Sequence, residues 1–128
     1  MPDQPTAQAA QREPGSEPLD PEDAKLITLA RSVRARTRAP EGACVRDLDG
    51  RTYAGATVEL PSLRVSAVGV AVAMAASSGA AGLEAVVVMT YADFVDGADL
   101  AAVREFGGPG VTVLRVDEDG TVGEVWVT

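Results

Sequence analysis

Residues 42–59 read GACVRDLDGRTYAGATVE, and this stretch decides the fold. Two largely apolar segments, 42–48 and 51–59, meet at Asp49-Gly50. This dipeptide is a strong hairpin signal, because glycine adopts a positive φ without steric cost. The stretch therefore predicts two antiparallel strands joined by a tight turn.

A helix is predicted before this hairpin. Asp20 suits an N-cap position and Pro21 suits the first helical position. Apolar residues then recur at helical spacing, at Leu26, Leu29, Ala30 and Val33. The helix should end near residues 37–39, because Pro40 disfavours helical backbone in the residue before it.

The rest of the chain alternates between strands and helices. Residues 62–78 are apolar nearly all round, which is typical of a helix buried on several sides. Residues 83–90 form a continuous apolar run, as in a strand covered on both faces. A helix over 98–106 and a final strand pair, 111–116 and 121–128, follow. The order α-β-β-α-β-α-β-β predicts a mixed α/β domain.

Composition narrows the function classes. The first 24 of the 128 residues contain six acidic and one basic residue, so most of the net charge of −8 lies at this end. We expect a disordered acidic tail over 1–19 and one folded domain over 20–128. Bulk negative charge argues against a nucleic-acid partner, and no apolar run is long enough for a membrane span. A single cysteine cannot form an internal disulfide, so we expect a cytoplasmic protein.

Several short blocks resemble cytidine deaminases. Residues 42–45 and 49–59 are similar to that family's VGAAL…DGxxYxGxNVE block, and residues 104–109 and 111–120 are similar to its EF…VLLxDxDG stretch. The resemblance spans about residues 25–125. It implies a three-layer α/β/α fold with a mixed five-stranded sheet, and assembly like that of the small homotetrameric members.

The resemblance also shows what differs at the reactive positions. In the family, a Cys-Ala-Glu sequence opens the second helix, where the cysteine binds zinc and the glutamate moves protons. Counting back from Gly79 puts Ser66-Ala67-Val68 on these positions. Counting forward from Glu59 puts Val68-Gly69-Val70 there instead. Both alignments replace the glutamate with valine and lose the thiolate.

The family's second metal element, Pro-Cys-x-x-Cys, falls on Asp96 and Asp99. Two interpretations of these aspartates stay open, helix capping and a weak site for a hard cation such as Mg²⁺. Catalytic zinc takes three protein ligands, most often thiolates or imidazoles, and the chain has no histidine. We therefore expect no catalytic residue among Ser66, Val68, Asp96 and Asp99, and no zinc or other cofactor.

Glu59 is the one functional residue of the family that is kept. The family's Asn-Val-Glu triplet contacts the ribose, and here it reads Thr57-Val58-Glu59. Glu59 is either a substrate-binding remnant or a solvent-exposed residue at a strand end. The family's aromatic segment is replaced by residues 38–41, which offer no ring to stack on a base.

Two function classes follow from the resemblance. The first is a cytidine deaminase-like protein without catalysis, acting as a scaffold, regulatory or oligomer-forming module in a homodimer or homotetramer. The second is a nucleoside-binding protein, or a deaminase-type hydrolase with altered chemistry. The latter needs a proton carrier, and the alignment offers only Glu59, Asp96 and Asp99.

Overall fold

The computed structural model describes residues 10–12 and 19–128. The helices are α1 (Pro21–Thr37), α2 (Ala67–Ser77) and α3 (Gly97–Gly107). The strands are β1 (Ala10–Arg12), β2 (Gly42–Asp47), β3 (Thr52–Ala56), β4 (Val58–Leu60), β5 (Leu63–Val65), β6 (Leu83–Met89), β7 (Thr112–Val116) and β8 (Val122–Val127).

The main sheet is mixed. Its strand order is β3-β2-β6-β7-β8-β1, in which β6 and β7 are parallel and the other neighbours are antiparallel. Strands β2, β3, β6, β7 and β8 and the three helices follow the predicted order, so the predicted α/β fold is confirmed. No helix in the described part of the chain combines the length and the apolarity that a membrane crossing needs.

Helix α1 closes one face of the sheet. Asp20 caps it by accepting a hydrogen bond from the Glu22 backbone N–H at 2.8 Å, and Pro21 is its first residue, as predicted. The helix ends at Thr37, and its C-cap residue Arg38 has a left-handed backbone with φ of 54°. The core on this face consists of Leu26, Ile27, Ala30, Cys44, Ala85, Val87, Met89, Leu114 and Val116.

Helices α2 and α3 cover the opposite face and complete three layers. The core there includes Ala43, Val45, Ala67, Val68, Ala71, Val72, Val86, Val88, Val103 and Val113. Alternate residues of β2 and β6 thus belong to different cores, as strand geometry requires. With few aromatic residues, both cores are built from small aliphatic side chains.

Two glycines let the helices lie close to the sheet. A Cβ on Gly42 would collide with the Ala30 carbonyl oxygen of α1. A Cβ on Gly55 would lie 2.7 Å from Cγ1 of Val70 in α2, on the other face. Both helix layers therefore depend on a strand position without a side chain.

The β2–β3 turn is fixed by Asp47, which is only 1% exposed. Its carboxylate accepts hydrogen bonds from the Asp49 and Arg51 backbone N–H groups, both at 2.9 Å, and from the Tyr53 hydroxyl at 2.8 Å. Burial by itself would raise the pKa of Asp47, but these donors outweigh it and the pKa lies below its ordinary value. Gly50 adopts φ of 86° in this turn, as the Asp49-Gly50 signal predicts.

The structure corrects three details of the sequence interpretation. Segment 51–59 is two strands rather than one, and the first residues of segment 62–78 form β5 of a β4–β5 hairpin before α2 begins. Helix α2 is buried on one side only, and it exposes Ala73, Met74 and Ala76. The disordered tail predicted over 1–19 lies largely outside the described residues, but residues 10–12 form a sixth strand on the edge of β8.

Candidate functional site

A cleft of about 510 Å³ opens at one end of the sheet, where β2 begins and β3 and β6 end. Because β2 runs antiparallel to both neighbours, its start lies beside their last residues. The N-terminus of α2 lies at the same end. The lining residues are Pro40, Glu41, Thr57, Val58, Glu59, Arg64, Val65, Ser66, Thr90 and Tyr91.

Ser66 and Asp99 meet at this end. The Ser66 hydroxyl donates a hydrogen bond to Oδ1 of Asp99 at 2.6 Å and accepts one from the Gly69 backbone N–H at 3.0 Å. Ser66 is the N-cap of α2, whereas Asp99 lies in the first turn of α3. One short hydrogen bond therefore joins the beginnings of the two helices on this face.

The other aligned residues have separate surroundings. Asp96 is exposed and caps α3 by accepting a hydrogen bond from the Ala98 backbone N–H at 2.9 Å. Val68 is completely buried in the core under α2. Of the two alignments, only the one that begins at Ser66 puts its first residue on the cleft and within hydrogen-bond distance of an aligned aspartate.

Asp99 is a buried carboxyl group with 9% exposure. Burial raises its pKa above the ordinary value, the Ser66 hydroxyl opposes this shift, and the negative charges of Asp96 and Glu41 reinforce it. A carboxylate with a raised pKa is a better proton acceptor than an ordinary aspartate. In this structure its nearest hydrogen-bond donor is Ser66.

Glu41 links the two sides of the cleft. Its carboxylate accepts a hydrogen bond from the Thr90 hydroxyl at 2.6 Å, and its backbone carbonyl accepts one from the Thr57 backbone N–H at 3.2 Å. Thr57, which replaces the family's asparagine, uses its hydroxyl to accept a hydrogen bond from the Glu41 backbone N–H at 3.2 Å. Its hydroxyl thus belongs to the wall of the cleft.

Glu59 lies on the β4–β5 hairpin, where its cross-strand partner is Arg64. Both residues line the cleft and both are exposed. Antiparallel partners share one face of a strand pair, so these opposite charges are neighbours. The structure places Glu59 where a ligand in the cleft can reach it, and it does not bring Glu59 to Asp96 or Asp99.

Tyr91 is a cleft residue that the sequence interpretation missed. It lies two residues after the end of β6 and is 68% exposed. Its hydroxyl donates a hydrogen bond to Glu118 at 2.8 Å, which holds the ring at the rim. The site therefore has an aromatic side chain, although it comes from a different segment than in the family. Its place shortly after a buried strand was the available signal, because ligand sites gather at the carboxyl ends of such strands.

The residues at the expected metal position do not fit zinc. Ser66 offers a hydroxyl that already bonds to Asp99, and neither thiolate nor imidazole stands beside it. Cys44, the one cysteine of the chain, is buried on the α1 face, across the sheet. Within residues 10–12 and 19–128, no group of three or more histidine, cysteine, aspartate or glutamate side chains could hold a metal ion.

Comparison with protein families gives one match. The family model described as cytidine deaminase-like (CDL) matches residues 19–120. No curated protein matches the chain in sequence.

Solved structures of cytidine deaminases are similar to the chain. The enzyme from Burkholderia pseudomallei is 25% identical with a TM-score of 0.68, and the match covers 78% of this chain and 88% of that one. The enzyme from Mycobacterium leprae is 22% identical with a TM-score of 0.65, covering 82% and 94%. The enzyme from Mycobacterium tuberculosis is 24% identical with a TM-score of 0.64, covering 73% and 85%.

Proposed function

Because this chain belongs to the cytidine deaminase-like family, we propose that it has kept the family's fold for a non-catalytic role, as a scaffold, regulatory or oligomer-forming module. The Ser66–Asp99 hydrogen bond carries this proposal. It joins α2 to α3 at the positions that align with metal ligands, so the fold is connected there without a metal. The buried Val68 fills the place of the proton-transferring glutamate with an aliphatic group.

The direct test combines metal analysis with an activity assay. Protein purified in the presence of zinc should contain no stoichiometric zinc and should release no uridine from cytidine. The M. tuberculosis cytidine deaminase, treated identically, is the positive control. Stoichiometric zinc together with uridine release would overturn the proposal, and uridine release without zinc would instead support a hydrolase with altered chemistry.

A set of variants tests whether the aligned positions are the former ligands. The triple variant Ser66→Cys, Asp96→Cys and Asp99→Cys should bind about one zinc ion, because it restores a three-thiolate site at two helix N-termini. The matched control carries Val68→Cys in place of Ser66→Cys, together with the same two aspartate substitutions. It follows the other alignment, which begins at Val68. It should bind no zinc, since Val68 is buried in the core. Equal zinc content in both variants would contradict the alignment that begins at Ser66, on which the proposal rests.

A second candidate function is nucleoside binding. The specific observation in its favour is the cleft of about 510 Å³, which Thr57, Glu59 and Ser66 still line. Isothermal titration with cytidine, deoxycytidine and uridine separates the candidates, with Glu59→Gln as the variant. A heat of binding with the parent chain that is absent with Glu59→Gln would favour nucleoside binding. No heat of binding with any of the three nucleosides would favour a scaffold.

We also propose that the protein works as a homodimer or homotetramer in the cytoplasm. The exposed apolar residues of α2, Ala73, Met74 and Ala76, support assembly, because neighbouring exposed apolar side chains can form an association surface. The free buried thiol of Cys44 suits a reducing compartment. Size-exclusion chromatography with light scattering tests the assembly, and a strictly monomeric protein at micromolar concentration would contradict it.

A further inference from the structure

We propose that the ligand of the cleft carries a phosphate group, which Arg34 and Arg38 bind in an adjoining hollow. This inference rests on the second candidate function, nucleoside binding, and names the class of ligand, a nucleoside monophosphate rather than a neutral nucleoside.

The hollow lies directly beside the cleft. It has a volume of about 470 Å³ and is lined by Arg34, Ala35, Arg38, Ala39, Pro40 and Tyr91. Pro40 and Tyr91 also line the cleft, so the two spaces share a wall. The proposed ligand spans the two spaces past the Tyr91 side chain, which lines both.

Arg34 is held in place for such a contact. Its Nε donates a hydrogen bond to the Pro40 carbonyl oxygen at 3.1 Å, and its guanidinium lies 4.6 Å from the centre of the Tyr91 ring. The Tyr91 ring is in turn fixed through Glu118. A guanidinium that is already ordered loses little entropy when it binds an anion.

The charges of the two arginines are available to a ligand. In the part of the chain that the structure describes, neither Arg34 nor Arg38 has a carboxylate oxygen within 4.0 Å of its guanidinium. Arg46 and Arg115 are both in ion pairs. Basic residues at a helix C-terminus also interact with the helix dipole, but Arg36 in the same turn does this without lining the hollow.

The cleft itself has a different charge. Glu41 and Glu59 line it, and Arg64, the cross-strand partner of Glu59, is the one basic residue among its lining residues. A phosphate is therefore repelled from the cleft beside Glu41 and attracted into the hollow beside Arg34 and Arg38. A ligand with hydrogen-bond donors at one end and a phosphate at the other matches this distribution.

The test is isothermal titration of the full chain with cytidine 5′-monophosphate, cytidine, ribose 5-phosphate and inorganic phosphate. We expect the monophosphate to bind about tenfold more tightly than cytidine, because a charge-assisted contact to arginine is a strong hydrogen bond. Ribose 5-phosphate and inorganic phosphate should compete for the same site, each with a lower affinity than the monophosphate. Raising the salt concentration should lower the affinity for the monophosphate and leave the affinity for cytidine unchanged.

Matched variants locate the contact. Arg38→Gln should lower the affinity for the monophosphate about five- to tenfold and leave the affinity for cytidine unchanged. Arg36→Gln removes the same charge two residues away, at a position that does not line the hollow, and should change neither affinity. Both positions are exposed, so folding should be unaffected, which a thermal unfolding curve checks.

Each other outcome has a defined meaning. Equal affinities for cytidine and its monophosphate would overturn the phosphate inference and leave nucleoside binding standing. Equal effects of Arg36→Gln and Arg38→Gln would place any phosphate elsewhere and also overturn it. Binding of neither compound would overturn both the inference and the nucleoside-binding candidate, while the proposed absence of deaminase activity would remain to be judged by zinc content and uridine release.

Discussion

The two faces of the sheet differ in where a thiol or hydroxyl group lies, in the core on one face and at the cleft on the other. On the α1 face the chain has its one thiol, at Cys44, and burial raises the pKa of that thiol to about 11, so it is protonated and unreactive. On the α2–α3 face the family places zinc thiolates at the cleft, and this chain has the Ser66 hydroxyl there. A thiol buried in the core under α1 is thus unreactive, whereas the positions that would bear reactive groups lie where the cleft opens.

The largest expected effect comes from restoring the family's glutamate on the α2–α3 face. Val68→Glu should lower the free energy of unfolding by at least about 4 kcal/mol, because it puts a carboxyl group without a partner into an apolar core. Val70→Glu is the matched control, since the other alignment puts the glutamate there and Val70 is only half-buried. Urea unfolding of both variants measures the difference. A smaller loss for Val68→Glu than for Val70→Glu would show that the core under α2 is not as close-packed as described.

The next effect compares the glycines beneath the helices. Gly42→Ala should cost about 2–3 kcal/mol, because the new methyl group meets a backbone oxygen of α1 that cannot move alone. Gly55→Ala should cost less, because its nearest neighbour is the Val70 side chain of α2. Thermal unfolding checks the order, which would be reversed if the α2 face were the more rigid one.

Gly97→Ala serves as the control for both glycine variants. No atom lies within 4 Å of a Cβ at this position, which is the first residue of α3. It should be neutral or stabilise the protein by at most about 1 kcal/mol, since alanine favours helix. A clear loss of stability here would mean that the glycine series reports something other than close contact.

A smaller effect is expected at the link between α2 and α3. Ser66→Ala should cost about 1–2 kcal/mol, because it removes a helix cap and leaves the buried Asp99 without its hydroxyl partner. Ser77→Ala, at an exposed position near the other end of α2, should change stability by no more than about 0.5 kcal/mol. A double-mutant cycle with Asp99→Ala isolates the pair energy, and an energy of zero would deny the link a structural role.

The smallest effect is in the pH dependence of stability, to which Asp47 and Asp99 contribute with opposite signs. The pKa of Asp47 is lowered in the folded protein, so its contribution to stability is present at neutral pH and is lost as the pH falls. The pKa of Asp99 is raised, so its contribution is largest below the ordinary pKa of 3.8 and is lost as the pH rises through the folded value. Urea unfolding of Asp47→Asn and Asp99→Asn between about pH 3 and pH 7 should show the two differences from the parent chain changing in opposite directions. Parallel changes would contradict the assignment of Asp99.

The elements that could be predicted are those with a local cause. The cap at Asp20 and the glycine in the Asp49-Gly50 turn act within a few residues, and the structure has both. The β4–β5 hairpin was missed because its turn, Pro61-Ser62, lacks the glycine or asparagine that usually marks a two-residue turn. Helix α2 was expected to be buried on several sides because its exposed residues are alanine and methionine rather than polar.

The site could be predicted only in part, because its residues come from distant segments. The resemblance to cytidine deaminases aligned Ser66, Asp96 and Asp99, but it left two registers open for the helix. Which side chains touch depends on how α2 and α3 converge, and no local pattern contains that information. Tyr91 and Arg34 were missed as neighbours of the cleft for the same reason.

The pairing of β1 with β8 matters for anyone who shortens this protein. Ala10, Gln11 and Arg12 lie opposite Val127, Trp126 and Val125, and they cover backbone groups of β8 that would otherwise be open. A truncated form beginning at residue 19 would keep α1, α2 and α3 but expose the edge of β8 at Val125, Trp126 and Val127. Open strand edges recruit other chains, so we expect such a form to precipitate at concentrations where the full chain stays dispersed.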